Sequence, residues 1–276
     1  MRMEAFFAPY YPWLALMLGL LIGSFLNVVI YRLPVMLMRE LEDENEKSSL
    51  PDVNLWWPPS HCPVCNHAIK PWDNVPVLSW LLLRGKCRSC HCSIPLQYPL
   101  SEALIGIAFY GLVFAYYPHY SLVQIAFMAL FLSLLYTLAM IDIKTFLLPD
   151  SLVFLLLWAG LIASVRNVIP VSPRDSVIGA AFIWGFTWLM AQGYAWIVGR
   201  EGFGNGDVKL FAACATWVGS DYIAHLMLGS AALGALFFLL RSLRSRQNNG
   251  DDAGYIPFGP AIAITAVVIM HMEVLN

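Results

Sequence analysis

Long apolar runs separated by short polar segments dominate the chain. A helix needs roughly 17–25 mostly apolar residues to cross a bilayer, and the pattern predicts eight such helices. We place them at about 10–32, 99–117, 121–141, 151–165, 176–199, 208–219, 223–240 and 256–272. The fourth and sixth are short for a full crossing. The first is too long for the core of a signal peptide and lacks a small-residue cleavage site, so we expect a true span.

One polar segment, 33–98, interrupts this pattern between the first and second predicted helices. It contains five of the 6 cysteines and many of the 17 prolines. The sequence therefore predicts three parts: a first transmembrane helix over 1–32, a loop domain over 33–98, and a seven-helix membrane domain over 99–276.

The composition supports a membrane protein. Hydrophobic residues make up 59% of the chain and charged residues 12%, and the mean hydropathy is +0.66. A soluble domain carries about 25% charged residues, so this chain has too few to coat a water-soluble globule. Its net charge of -2 provides no field that attracts polyanions, and we expect no nucleic-acid partner. The predicted fold class is an all-α polytopic protein embedded in a lipid bilayer.

The distribution of basic residues predicts the orientation. Basic residues are retained on the cytoplasmic side of a membrane. If the loop domain is cytoplasmic, only Arg2, Arg166 and Arg174 of the 16 lysines and arginines fall on the opposite side. We therefore expect a cytoplasmic loop domain, in a compartment where thiols stay reduced and disulfides are rare.

The clustered cysteines of the loop domain then require another explanation. Two Cys-x-x-Cys pairs, Cys62/Cys65 and Cys87/Cys90, lie about 20 residues apart. Two such pairs can bring four thiolates into a tetrahedron, which is the geometry of structural zinc sites. A set of four sulfur ligands leaves no open position, so we predict structural zinc. A redox pair or a disulfide is the alternative, and Cys92 is a spare ligand that can replace one of the four.

Two carboxylates at the ends of predicted membrane helices are the candidates for chemistry, because ionisable groups in spans are expensive and usually functional. Asp142 closes the third predicted helix and Asp207 opens the sixth. In the predicted topology both lie at the cytoplasmic side and can meet at one depth. Two carboxylates about 4 Å apart repel by about 4 kcal/mol at an effective dielectric constant near 20. They then share one proton, which leaves one acid and one base. Such a pair can activate water against a peptide carbonyl and protonate the leaving amine.

Three glycines precede Asp207, namely Gly202, Gly204 and Gly206. They suit a site at which an extended substrate backbone comes close, and they allow unusual backbone angles before the helix begins.

Simpler explanations exist for each of these acidic residues. Asp207 can be an N-cap, a position at which Asp is favoured. Asp142 can pair with Lys144 or Arg200 at the membrane interface. Asp150 follows a proline and has the position of an N-cap for the fourth predicted helix.

Several segments carry a likeness to one family. Gly204-Asn205-Gly206-Asp207 resembles the GxGD signature of intramembrane aspartic proteases, and the whole chain resembles the bacterial type IV prepilin peptidases. Besides the two cysteine pairs, the segments that carry this resemblance, in the family's order, are 23–34, 98–102, 141–142, 147–150, 202–209 and 256–260.

The resemblance implies an enzyme of the bacterial inner membrane with a cytoplasmic active site. Asp142 and Asp207 match the family's proteolytic pair, and Gly204, Gly206 and Lys209 are the candidate substrate-binding residues. Members cleave the short basic leader of type IV prepilins or type II secretion pseudopilins after a glycine. They then methylate the new amino terminus with S-adenosylmethionine. The family's zinc ligands match the four cysteines of the two pairs.

Two further points stay open at this stage. Glu102, near the start of the second predicted helix, either serves methyl transfer or bonds within the bundle. A proton-coupled transporter with a regulatory zinc loop is the alternative function, and an assembly scaffold built on the zinc loop is a third. A transport relay needs carboxylates near the bilayer midplane, whereas Asp142 and Asp207 are predicted at helix ends.

Overall fold

The structure of the chain is a computed structural model, and it describes residues 7–41, 52–199, 204–247 and 257–275. Within these ranges the regular elements are helices. Two short 3₁₀ helices span Ala8–Tyr10 and Pro71–Asn74. The α-helices are α1 (Tyr11–Leu41), α2 (Leu78–Leu82), α3 (Gln97–Tyr116), α4 (Leu122–Thr145), α5 (Asp150–Val165), α6 (Pro173–Val198), α7 (Asn205–Val218), α8 (Ile223–Gln247) and α9 (Gly259–Leu275).

The predicted all-α membrane architecture is confirmed. In the described part of the chain, five helices are long and apolar enough to cross a membrane: α1 together with the 3₁₀ turn before it, α3, α4, α6 and most of α8. The apolar helices α5 and α9 are shorter. Each of the eight predicted membrane helices corresponds to a helix, and the chain is a multi-pass membrane protein.

The first helix continues past its predicted end at residue 32. Pro34 lies inside α1, which ends at Leu41. A proline removes one backbone hydrogen bond from a helix interior. The residues that follow it at 35–38 are Val, Met, Leu and Met, and leucine and methionine favour helix. The helix therefore continues through the proline.

The chain divides into two compact units, residues 1–133 and 134–276. In the first unit, α1 and α3 form an antiparallel pair that packs closely because small residues lie between the helices. A Cβ atom added at Gly19 would lie 2.8 Å from the Cα of Gly106, and one added at Gly23 would lie 2.8 Å from the Cα of Glu102. Contacts of this kind are typical of helix pairs in membranes.

The segment between α1 and α3 is fastened to α1 by one buried cation. The guanidinium of Arg32 donates hydrogen bonds to the carbonyl oxygens of Asn54 (2.8 Å) and Pro58 (2.7 Å). The ring of Trp56 stacks on Phe25 with a centroid distance of 6.0 Å. These contacts hold the start of the loop domain against the helix.

In the second unit, α7 is the central helix and contacts α5, α6 and α9. Every residue from Leu210 to Val218 is buried, and alanines at 212, 213 and 215 let the neighbouring helices approach. The indole N–H of Trp217 donates to the carbonyl of Leu156 on α5 at 2.9 Å.

Candidate active site and metal centre

The two candidate catalytic carboxylates come together in the second unit. Asp142 lies in the last turn of α4 and its side chain is buried. Asp207 is the third residue of α7. The two side chains are close enough to interact electrostatically. Like charges within interaction range disfavour the doubly ionised state. One ionised and one protonated carboxyl group is the arrangement that combined acid and base catalysis needs.

Asp142 is held by a backbone amide that the sequence analysis missed. The N–H of Gly259, the first residue of α9, donates to Oδ2 of Asp142 at 2.7 Å. A Cβ on Gly259 would lie 2.7 Å from that oxygen, so the contact depends on glycine. Among the described residues Asp142 makes no ion pair with Lys144, and Arg200 lies outside the described residues. The 256–260 segment was recognised only as part of the family resemblance.

Asp207 is not the N-cap of its helix. The N-cap of α7 is Gly204, whose φ of -70° and ψ of 136° are ordinary extended values. The expectation of unusual backbone angles is therefore wrong at Gly204. Instead, the Gly204 amide donates a hydrogen bond to the Asp207 carboxylate, as in a capping box. Gly202 lies outside the described residues.

Gly206 permits a close contact between two segments of the site. A Cβ added to it would lie 3.1 Å from the Cβ of Leu148 in the connection between α4 and α5. The start of α7 therefore lies directly against the segment that follows Asp142. This contact, rather than backbone flexibility, is what the structure assigns to Gly206.

Lys209 is paired with a carboxylate. Its Nζ lies 2.8 Å from both carboxylate oxygens of Asp150, which is the first residue of α5 and follows the N-cap Pro149. The expectation that Asp150 is the N-cap is therefore wrong. The lysine and aspartate side chains are 37% and 53% exposed, so both remain accessible.

An apolar groove of about 270 Å³ lies between α5, α6 and α7, with Lys209 in its wall. Its remaining lining residues are Val153, Phe154, Leu157, Ala180, Ala181, Trp184 and Ala212. The groove can accept an apolar side chain or an acyl chain.

The four cysteines predicted to bind metal come together in the loop domain. The Sγ atoms of Cys62, Cys65, Cys87 and Cys90 all lie within 4.8 Å of one another, and those of Cys62 and Cys90 are 3.7 Å apart. Four thiolates about 2.3 Å from one zinc ion in a tetrahedron are about 3.8 Å apart. The donor set and its spacing therefore fit a tetrahedral metal site without an open position.

The two cysteine pairs have the same local structure. In the first, the amide of Cys62 donates to the carbonyl of His67 (3.0 Å), and in the second that of Cys87 donates to Cys92 (2.9 Å). One antiparallel bridge closes each turn, His61 with Ala68 and Lys86 with Ser93. The repeated turn directs the thiols of both pairs to one point.

Backbone amides inside each turn favour the thiolate form that binds metal. The N–H groups of Cys65 and Val64 lower the pKa of Cys62 to about 6. The N–H groups of Cys90 and Ser89 lower the pKa of Cys87 in the same way. Because a metal ligand must be deprotonated, these amides favour the metal-binding form of the first cysteine in each turn. The pKa of the second cysteine, Cys65 or Cys90, is raised instead by burial and by neighbouring thiols.

Cys92 lies beside this cluster. Its Sγ is 3.5 Å from that of Cys62, and it occupies the position in the second turn that His67 has in the first. It remains the spare ligand that the sequence suggested.

Glu102 bonds to the loop domain within the first unit. Its Oε2 accepts a hydrogen bond from the N–H of Val77 at 2.7 Å. Val77 has a φ of 60°, a strained value for a β-branched residue, so the carboxylate stabilises a turn that is otherwise unfavourable. One turn before Glu102 on α3, the carbonyl of Tyr98 accepts a hydrogen bond from the side-chain amide of Asn27 at 3.2 Å. Sequence reasoning named Glu102 but could not identify this partner.

Comparison with known proteins adds an independent line of information. Residues 17–116 match the family described as bacterial peptidase A24 N-terminal domain, and residues 129–239 match the type IV leader peptidase family. Curated relatives named prepilin leader peptidase/N-methyltransferase include those of Pectobacterium carotovorum subsp. carotovorum, Stutzerimonas stutzeri and Neisseria gonorrhoeae. They are 42%, 40% and 37% identical to this chain. The alignments cover 94%, 93% and 95% of this chain and 92%, 89% and 91% of those proteins. No solved structure gives a significant match.

Proposed function

Because this chain belongs to the type IV leader peptidase family, we propose that it is a membrane aspartic endopeptidase and N-methyltransferase. Its substrates are type IV prepilins or type II secretion pseudopilins, which it cleaves after the glycine that ends their basic leader. It then methylates the new terminal amine with a methyl group from S-adenosylmethionine. The observation that carries the proposal is the meeting of Asp142 and Asp207 at the ends of two apolar helices.

In this mechanism one carboxylate of the pair takes a proton from water, and the resulting hydroxide attacks the scissile carbonyl carbon. The other carboxyl group donates its proton to the leaving amine as the peptide C–N bond breaks. Asp142 and Asp207, together called the dyad, carry these two roles. We assign Gly204, Gly206 and Lys209 to substrate binding, and the Lys209 side chain is 37% exposed.

The orientation follows from the basic residues. The loop domain and the active site face the cytoplasm, where the leader of a prepilin lies, and the membrane is the bacterial inner membrane. Both aspartates lie within the terminal turns of their helices. This depth disfavours a proton relay through the membrane, which needs carboxylates near the midplane.

Zinc is the metal that best suits four thiolates. We assign it to Cys62, Cys65, Cys87 and Cys90, where it would hold the two turns of the loop domain together. With all four positions taken by sulfur, it has no place for substrate or water. Its role is therefore structural.

The test is a cleavage assay in detergent with a prepilin as substrate, with product masses recorded. We expect Asp142→Asn and Asp207→Asn to fold but not to cleave. Asp221→Asn is the matched control, because this exposed aspartate lies in the turn between α7 and α8 and should leave cleavage unchanged. Addition of S-adenosylmethionine should increase the mass of the wild-type product by one methyl group. Cleavage at the wild-type rate by either dyad variant would refute the aspartic mechanism.

A further inference from the structure

Phe258 and Gly259, at the start of α9, contact both helices that carry the aspartates. The N–H of Gly259 donates to Asp142, the residue at the end of α4. The ring of Phe258 contacts Phe211 of α7 with a centroid distance of 6.1 Å, and Phe211 lies one helical turn after Asp207. Two adjacent residues therefore connect α4 to α7 at the level of the dyad.

We propose that Phe258 and Gly259 form a clasp that positions Asp142 against Asp207, which makes them positioning residues for peptide cleavage. This inference rests on the proposed aspartic peptidase activity.

The hydrogen bond from Gly259 is available because of its place in the helix. The first N–H groups of an α-helix have no partner within the helix, and Gly259 is the first residue of α9. Its amide is therefore free to hold Asp142 Oδ2. Besides the oxygen at 2.7 Å, an added Cβ would meet the Cβ and Cγ of Asp142, each at 3.2 Å. Any side chain at 259 must therefore displace the carboxylate.

The third contact of the clasp is made on α8. A Cβ added to Gly234 would lie 2.4 Å from one carbon of the Phe258 ring and 2.9 Å from another. Gly234 thus leaves the space into which the ring fits. Its substitution by alanine pushes on Phe258, and Phe258 ring atoms are the nearest that the added Cβ would meet.

The expected effect follows from geometry. A displacement of about 1 Å in a catalytic group costs about 100-fold in rate. We expect Gly259→Ala to lower kcat about 100-fold and Gly234→Ala about 10–100-fold. KM should change little in either variant, because neither change touches the proposed substrate-binding residues.

The experiment measures kcat and KM for prepilin cleavage in detergent, together with the thermal unfolding midpoint of each variant. Gly185→Ala is the matched control, since nothing lies within 4 Å of a Cβ added at that helical glycine, and it should leave both constants unchanged. The decisive variant is the double substitution Gly234→Ala with Phe258→Leu. The smaller leucine side chain relieves the clash, so kcat should return to within about 3-fold of Phe258→Leu alone, as close packing predicts.

Three results would overturn the clasp. One is a kcat near the wild-type value in both glycine variants. Another is a loss of activity that only parallels a lower unfolding midpoint. The third is a double variant whose kcat stays more than about 3-fold below that of Phe258→Leu alone. The variants Asp142→Asn and Asp207→Asn separate the two proposals. If these variants cleave normally, the aspartic mechanism fails. If they are inactive while both glycine variants keep the wild-type kcat, only the clasp fails.

Discussion

The contact between α5 and α7 leads to a sharp prediction for Gly160. A Cβ added there would lie 2.1 Å from Oγ1 of Thr216, and 2.7 and 2.8 Å from two atoms of the Trp217 indole. These distances are far below an ordinary van der Waals contact, and the side chains of Thr216 and Trp217 are almost fully buried, as is Gly160 on α5. The two helices must therefore move apart to admit one methyl group.

The size of the effect can be worked from three contributions. Overpacking a close-packed interior costs about 1–3 kcal/mol. Separation of the helices also breaks the bond from the Trp217 indole to the carbonyl of Leu156, which costs about 1–3 kcal/mol for a buried group. The higher helix propensity of alanine returns about 1 kcal/mol. These contributions sum to about 1–5 kcal/mol, so we expect Gly160→Ala to lower the free energy of unfolding by about 3 kcal/mol.

The assay is thermal unfolding of the purified protein in detergent, followed by far-ultraviolet circular dichroism. For a protein of about 150–250 residues, 1 kcal/mol shifts Tm by about 2–4 °C, so the expected decrease is about 5–15 °C. Adding Thr216→Ala removes the nearest oxygen and should restore part of the loss, whereas Gly185→Ala should not lower Tm. A Gly160→Ala protein that unfolds at or above the wild-type temperature would refute the inferred packing of α5 against α7.

Three further predictions concern the metal centre, the ion pair and the loop contact. Cys87→Ser should abolish the bound zinc that atomic absorption detects in the purified protein, whereas Cys92→Ser should retain it; the opposite result would make Cys92 the ligand. Lys209→Met and Asp150→Asn should each change stability by less than about 1 kcal/mol, because the pair is partly exposed. If Lys209 contacts the prepilin, only Lys209→Met should raise KM, and equal KM values in both variants would remove it from the binding site. Glu102→Ala should speed hydrogen exchange in the loop around residue 77, because it deletes a charged acceptor, while Glu102→Gln keeps an acceptor oxygen and should change exchange less.

The grouping of the two aspartates and of the four cysteines could be predicted, because such residues stand out in the sequence. Charged residues are rare in the apolar helices, so Asp142 and Asp207 were visible as candidates, and the structure places them in electrostatic contact. Their catalytic roles remain a prediction. The Cys-x-x-Cys spacing has a defined local geometry, so the convergence of the four thiols followed from it.

Contacts between distant backbone and side-chain atoms could not be predicted. The amide that holds Asp142 comes from a residue 117 positions away, and a backbone N–H has no signature in a sequence. The pairing of Lys209 with Asp150 depends on α5 packing beside α7, which periodicity does not specify. The end of α1 was misplaced because the loop domain was predicted to begin at residue 33, whereas the helix continues through Pro34 to Leu41.

Each of the two aspartates accepts a hydrogen bond from a backbone amide at the start of a helix. Asp142 receives the amide of Gly259 at the start of α9, and Asp207 receives the amide of Gly204 at the start of α7. The N-terminus of a helix carries about half a positive charge in its unpaired N–H groups. Two helix N-termini therefore face the two carboxylates. Their positive charge offsets part of the repulsion between the two acidic groups. This explains how an apolar helix bundle can hold two aspartates together although, among the described residues, neither has a cationic side chain as an ion-pair partner. It also explains why glycine occupies both positions: each amide lies so close to a carboxylate that a Cβ at 259 or 204 would lie 2.7 or 3.1 Å from its oxygen.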